Sequence, residues 1–181
     1  VGSVVRPQDV PVEVRDLNLW RNVWANTTTY RWATVIDNKS PEAIDFLVKM
    51  CEVFLGGPKE FRKSPNLSIP CYASTPLQWS RPAMSLMLIA LKRGLPVGGT
   101  WLPMAGSTAP TTLAGAWVIG YAESLAFAMI ALAVDEHAKV GIGPGGAGIT
   151  DMKSGNFAWG APLRCAPCKV ATLPIRNSSS S

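Results

Sequence analysis

The residues equipped for chemistry are few, and most fall in two stretches. The first is Met104-Ala105-Gly106-Ser107-Thr108-Ala109-Pro110-Thr111-Thr112. It sets small and hydroxyl side chains, with free backbone N–H groups, at the start of a helix. That arrangement suits an anion or a polar group, although tight packing against a neighbouring strand would demand the same residues. Ser107 and Thr108 make poor nucleophiles, because no histidine base lies near them and His137, the single histidine, is isolated. The second stretch is the glycine-rich segment Gly143–Gly155, which carries Asp151 and Met152. Asp151 is a candidate catalytic acid at a strand end, with a turn-forming Asp as the alternative. Between the two lies Glu123, one acid on an otherwise apolar helix. It is a candidate acid or a loop-orienting group, unless it is the structural partner of a basic side chain.

Other patterns weaken under scrutiny. Gly141 to Gly146 fits GxGxxG, but no helix pattern follows and no acid lies beyond Asp151 to hold a ribose. Cys165-Ala-Pro-Cys168 lacks the second pair that a structural zinc site needs, and the strand-to-helix context of a redox site. It reads as small buried residues in a reducing compartment. Seven tryptophans (Trp20, Trp24, Trp32, Trp79, Trp101, Trp117 and Trp159) could form a cage for a methylated ammonium. Trp101 stands next to the first stretch and is the candidate for such a wall.

These residues need elements to place them. Gly94–Gly99 reads as a buried strand, Trp101–Pro110 as a loop, and the segment from Thr111 to Val134 as a long helix started by Pro110, Thr111 and Thr112. Upstream, Val12–Trp24 has apolar residues at helical spacing, and Asn26–Val35 fits a strand followed by a turn at Asp37–Lys39. Ser40-Pro41-Glu42 then opens a helix with Ile44, Leu47, Val48, Cys51 and Leu55 inward, closed by Gly56-Gly57-Pro58. Glu60–Pro65 reads as a polar connection, Leu67–Ala73 as a strand with Ser74–Leu77 as its loop, and Pro82–Lys92 as a helix. His137–Ile142 is a short strand, Asn156–Lys169 is irregular or begins a helix, Val170–Pro174 is a strand, and 175–181 a flexible tail. Strand–helix alternation implies an α/β fold with parallel strands and right-handed crossovers, in one domain over 1–174.

Composition narrows the function. Only 16% of residues are charged against 48% apolar, which excludes disorder and implies extensive burial. The net charge of +5 comes from scattered Lys and Arg without aromatic interleaving, so nucleic-acid binding is not expected. The region after Asp151 has Lys153, Arg164, Lys169 and Arg176 but no acid, a mildly basic surface that could face an acidic partner. Leu113–Val134 is long enough to span a bilayer, yet Glu123 near its middle and the lack of basic flanks favour a buried helix. No signal peptide is expected, and the protein reads as cytoplasmic.

The run Pro103–Ala126 (PMAGSTAPTTLAGAWVIGYAESLA) closely resembles the signature of the trimethylamine methyltransferase (MttB-like) family. Gly106, Ser107, Thr108, Ala109, Pro110, Thr112, Leu113, Ala114, Gly115, Ala122 and Glu123 match in order, with Thr111 in place of the usual Val. Asp151, Met152, Lys153 and Gly155 match a second family stretch, and the resemblance is looser but continuous from about Ser40 to Pro174. It implies a (β/α) TIM-barrel fold, of which this chain would be the middle, an incomplete barrel, since a whole one needs ~250 residues. It implies methyl transfer from a tertiary or quaternary methylamine to the cobalt of a corrinoid (cobalamin) held by a separate protein. It also implies Asp151 and Glu123 in catalysis, and Trp101, Met104, Gly106, Ser107, Thr108, Thr111 and Met152 around the substrate. The pyrrolysine of some members lies after the strand that would follow Pro174, so this chain alone is expected to be inactive. The competing expectation is a non-catalytic truncated scaffold that binds a partner or self-associates through unclosed strand edges.

Overall fold

The computed structural model describes residues 7–26, 40–63, 67–142, 148–158 and 171–172. It is a mixed α/β structure in two compact units, Val1–Pro70 and Cys71–Ser181. The expected strand at Asn26–Val35 beyond Asn26 (which ends a helix), the turn at Asp37–Lys39, most of Asn156–Lys169, Trp32, Trp159, the CxxC cysteines and the 175–181 tail lie outside the described residues.

The first unit is helical. Helix α1 (Val12–Asn26) buries Leu19 and Trp20, and α2 (Pro41–Leu55) buries Ala43, Ile44, Leu47 and Cys51. Ser40 caps α2 by accepting a hydrogen bond from the Ala43 N–H at 3.2 Å, with Pro41 where no N–H is needed. The segment read as a polar connection is instead a short helix, α3 (Pro58–Lys63). Buried Phe61 anchors it, and Lys63 pairs with Glu60 one turn back at 2.7 Å.

The second unit holds the sheets. Strand β1 (Ile69–Ser74) turns through Thr75–Leu77, within the expected loop, into β2 (Gln78–Trp79), two residues to which no element had been assigned. That connection is too short for a crossover, so the pair is antiparallel, with Ala73 opposite Trp79. Ser80 caps α4 (Arg81–Lys92), which buries Leu86, Met87, Ala90 and Leu91. Next come β3 (Val97–Thr100), β4 (Met104–Ala105), α5 (Leu113–Val134) and β5 (Val140–Ile142). Strands β3 and β5 are parallel, Val97 opposite Val140, with α5 as the helical crossover between them.

Three further short strands complete the pattern: β6 (Gly148–Thr150), β7 (Phe157–Ala158) and β8 (Ala171–Thr172). The larger sheet has the order β2-β1-β3-β5-β8, the smaller β4-β6-β7. Not every strand is parallel, as the alternation had implied. Strand β8 runs antiparallel to β5, and β7 antiparallel to β6, the latter because only the Asp151–Asn156 turn joins them.

Helix α5 is seated on the sheet by a close approach. The indole of Trp101, directly after β3, lies where a side chain at Gly120 would go: a Cβ there would sit 1.6 Å from Trp101 Nε1. Trp101 is 1% exposed and Phe127, two turns on, fully buried. Among the described residues α5 is the one helix long and apolar enough to cross a membrane, with 33% of its most apolar window buried.

Gly120→Ala is expected to destabilise the protein by about 1–3 kcal/mol, although it raises helix propensity by roughly 1 kcal/mol. The urea midpoint reports the change. Ala122→Ser, on the exposed face of the same helix, should shift it by no more than ~0.5 kcal/mol.

Candidate functional site

The loop after β3 is closed on itself. Ser107 and Ala109 N–H groups both donate to the Met104 carbonyl, each at 3.0 Å, and the Gly106 N–H donates to the Ala109 carbonyl at 3.1 Å. The Met104 N–H donates to Thr108 Oγ1 at 3.1 Å, so the Thr108 hydroxyl is engaged by its own loop. Gly106 holds this turn at φ 85°, a left-handed backbone that costs other residues about 1–2 kcal/mol. Thr112 then caps α5 by accepting from the Gly115 N–H at 3.1 Å. Ser107 and Thr111 remain exposed.

The second stretch comes to meet the first. Strand β6 pairs in parallel with β4, Met104 opposite Gly148 and Ala105 opposite Ile149, and the Gly148 N–H donates to the Pro103 carbonyl at 3.1 Å. The segment read as one long glycine-rich loop therefore contains a strand over Gly148–Thr150. Beyond it, Met152 is 75% exposed, and its Sδ lies 3.5 Å from where a Gly106 Cβ would be. Gly106 and Met152, far apart in the chain, thus share one surface.

Asp151 makes the turn between β6 and β7. Its carboxylate accepts from the Ser154 hydroxyl at 2.6 Å and from the Lys153 N–H at 3.0 Å. The Ser154 bond first, then the Lys153 N–H, holds the carboxyl below its usual range, and the group is fully exposed. A carboxylate held ionised by its own turn is a weak proton acceptor.

Glu123 lies elsewhere, 1% exposed at mid-helix on α5. Its Oε1 accepts from the Leu77 N–H at 2.8 Å and its Oε2 from the Thr75 hydroxyl at 3.1 Å. Its partners are thus the turn after β1 rather than a basic side chain. Leu77 has φ 55° there, and the carboxylate fixes that turn.

Trp101 is buried against Gly120 and not presented to the loop surface. Its ring stands 5.8 Å from Tyr121, which is 6.1 Å from Trp117, all tilted rather than arranged as a box. Trp20 and Trp24 neighbour each other in the first unit. Among the described residues no three His, Cys, Asp or Glu gather as a metal site. Cys51 and Cys71 are buried and outside any disulfide, and burial, with Glu52 adding to it, pushes the Cys51 thiol up to about 12, which leaves it inert.

Sequence reasoning had missed Thr75, Leu77 and Tyr121. Tyr121 follows Trp117 by one helical turn, a spacing that could have flagged it. Nothing in the sequence marks the Leu77 N–H as the partner of a distant carboxylate.

The chain matches a family model described as trimethylamine methyltransferase (MTTB) over residues 1–172. It is 28% identical to the glycine betaine methyltransferase of Desulfitobacterium hafniense strain Y51 over 165 residues, 91% of this chain and 33% of that protein. It is 26% identical to the trimethylamine methyltransferase MttB of D. hafniense strain DCB-2 over 87% of this chain and 31% of that protein. It is also 30% identical to MttB2 of Methanosarcina mazei over 67% of this chain and 24% of that protein. The chain therefore spans about a third or less of the length of these relatives.

Glu123→Ala leaves a part-buried N–H and a hydroxyl without their partner and should cost about 1–3 kcal/mol, measured by denaturant unfolding. Asp151 should titrate below 3.8 in an NMR pH series, and Ser154→Ala should move it back up. Because the folded value is lowered, the turn is at full strength above the ordinary carboxylate range and weakens as pH falls through the shifted value.

Proposed function

Because the chain belongs to the trimethylamine methyltransferase family, we propose that it forms part of an enzyme moving a methyl group from a tertiary or quaternary methylated amine to the cobalt of a corrinoid on a separate protein. The amine is of the trimethylamine or betaine kind. The β3-α5-β5 unit is then one βαβ repeat of a (β/α) barrel, and residues 1–174 one domain of it, in a cytoplasmic protein. The loop of Met104, Gly106, Ser107, Thr108 and Thr111, with Met152 beside it, is the part of the mouth that meets the substrate.

The observation that carries this reading is the approach of Met152 to Gly106, which joins two separately placed stretches into one surface at strand ends. Its residue types suit the chemistry required. A methyl group leaving a positively charged nitrogen departs without its bonding electrons, which stay with the amine. For a quaternary amine no proton moves, so a dedicated base is unnecessary. What is needed is a dry, small-walled pocket that tolerates a cation. A thioether, a glycine turn and hydroxyls at a helix start offer walls of that kind. Bound corrinoid, presented by its carrier protein, supplies the methyl acceptor. In this reading Glu123 is a positioning residue that fixes the turn after β1, and Asp151 holds Met152 in place through its own turn. Trp101 acts at one remove, by seating α5.

The test is methylation of a reduced corrinoid protein, followed by its absorbance change, with these residues carried in a protein of the relatives' length. Trimethylamine or glycine betaine should support turnover. Gly106→Val and Met152→Ala should each lower kcat/KM tenfold or more, about 1.4 kcal/mol of barrel-mouth binding at the transition state. No methylation with any tertiary or quaternary amine would overturn the assignment.

A further inference from the structure

The first unit carries an exposed face that the proposed chemistry does not use. Helices α1 and α2 run side by side in the same direction. Near their starts Leu17 lines a depression with Ala43, and near their ends Trp24 stacks on Phe54 at 5.1 Å. A groove of about 550 Å³ follows the seam toward the helix ends, and a smaller one lies toward the starts; Phe46 lines both. The face is strongly apolar yet open to solvent, with Phe46 56% and Val53 83% exposed.

Its charges are sorted by end. The walls near the helix starts include Glu42, beside Glu13, and those near the helix ends include Arg21 and Lys49. Asp45 and Glu52, the other acids of α2, lie outside both sets of walls. The face therefore reads acidic, apolar, basic along its length. A surface with that order is complementary to itself when turned end for end.

We infer that this α1–α2 face pairs with the same face of a second copy about a twofold axis near Phe46. In such an isologous contact each residue meets its reciprocal. Turned antiparallel, the Glu42 end of one copy meets the Arg21–Lys49 end of the other twice over, and the apolar middles cover each other. A second copy fits better than an anionic membrane surface, which the acidic end would repel. It also fits better than a uniformly acidic partner, for the same reason. The flanking charges fix the direction of pairing, and the apolar middle supplies the driving force.

Sedimentation equilibrium of the whole protein tests this. The unaltered chain should dimerise at concentrations below ~100 μM, more weakly as salt rises. Glu42→Lys alone, and Arg21→Glu with Lys49→Glu, should each weaken self-association tenfold or more, with circular dichroism unchanged. Mixing the two variants in equal amounts should restore the dimer, because the reversed ends then face opposite charge. An unaltered chain that stays monomeric, association indifferent to both sets of reversals, or variants that do not recover on mixing would each overturn the proposal. A fold lost in one variant is separated from a lost contact by that mixing experiment, since an unfolded chain cannot be rescued by its complement.

Discussion

A carboxylate placed in the middle of an apolar helix must find donors, and the second unit is arranged around that requirement. Glu123 takes the Leu77 N–H and the Thr75 hydroxyl, which binds α5 to the turn after β1. Gly120 removes the side chain that would keep the Trp101 indole away, which binds α5 to the end of β3. One contact is polar and the other steric, and they lie within one helical turn of each other. Together they set how α5 lies on the sheet. They thereby set the direction in which its first turn, capped by Thr112, presents the loop before it.

The helix starts were legible in the sequence for a local reason. Ser40 and Thr112 each offer a hydroxyl to a backbone N–H three residues on; Ser80 does the same for α4, whose start had been read at Pro82 without its cap. A cap of this kind is written in adjacent residues. The long strand–helix rhythm was legible because hydrophobic spacing extends over many residues. Strands of two or three residues, such as Met104–Ala105, Gly148–Thr150 and Phe157–Ala158, carry no periodicity to read. They exist because a partner strand is present, and that partner is remote in the chain. The same applies to α3, whose six residues are held by one buried phenylalanine and by no long pattern.

The candidate site divides along the same line. The two stretches that resemble the methyltransferase family could be found one at a time, and their side-chain types named. Their meeting depends on the pairing of β4 with β6, which is a long-range fact. Exposure is another. Ser107 and Thr108 are adjacent and chemically alike, yet one faces solvent and the other closes its own loop. Trp101 stands beside the loop in sequence but faces the helix behind it. Glu123 drew attention as a lone acid, but the groups it serves are a backbone amide and a hydroxyl, which carry no charge signature.

The small β4-β6-β7 sheet has a mechanical consequence. Because Met104 and Ala105 are laddered to Gly148 and Ile149, the two loops at its ends are not independent flaps. A displacement of one would have to carry the other, which keeps the spacing between the glycine turn and the thioether. The ladder therefore carries the glycine turn and the thioether as one piece.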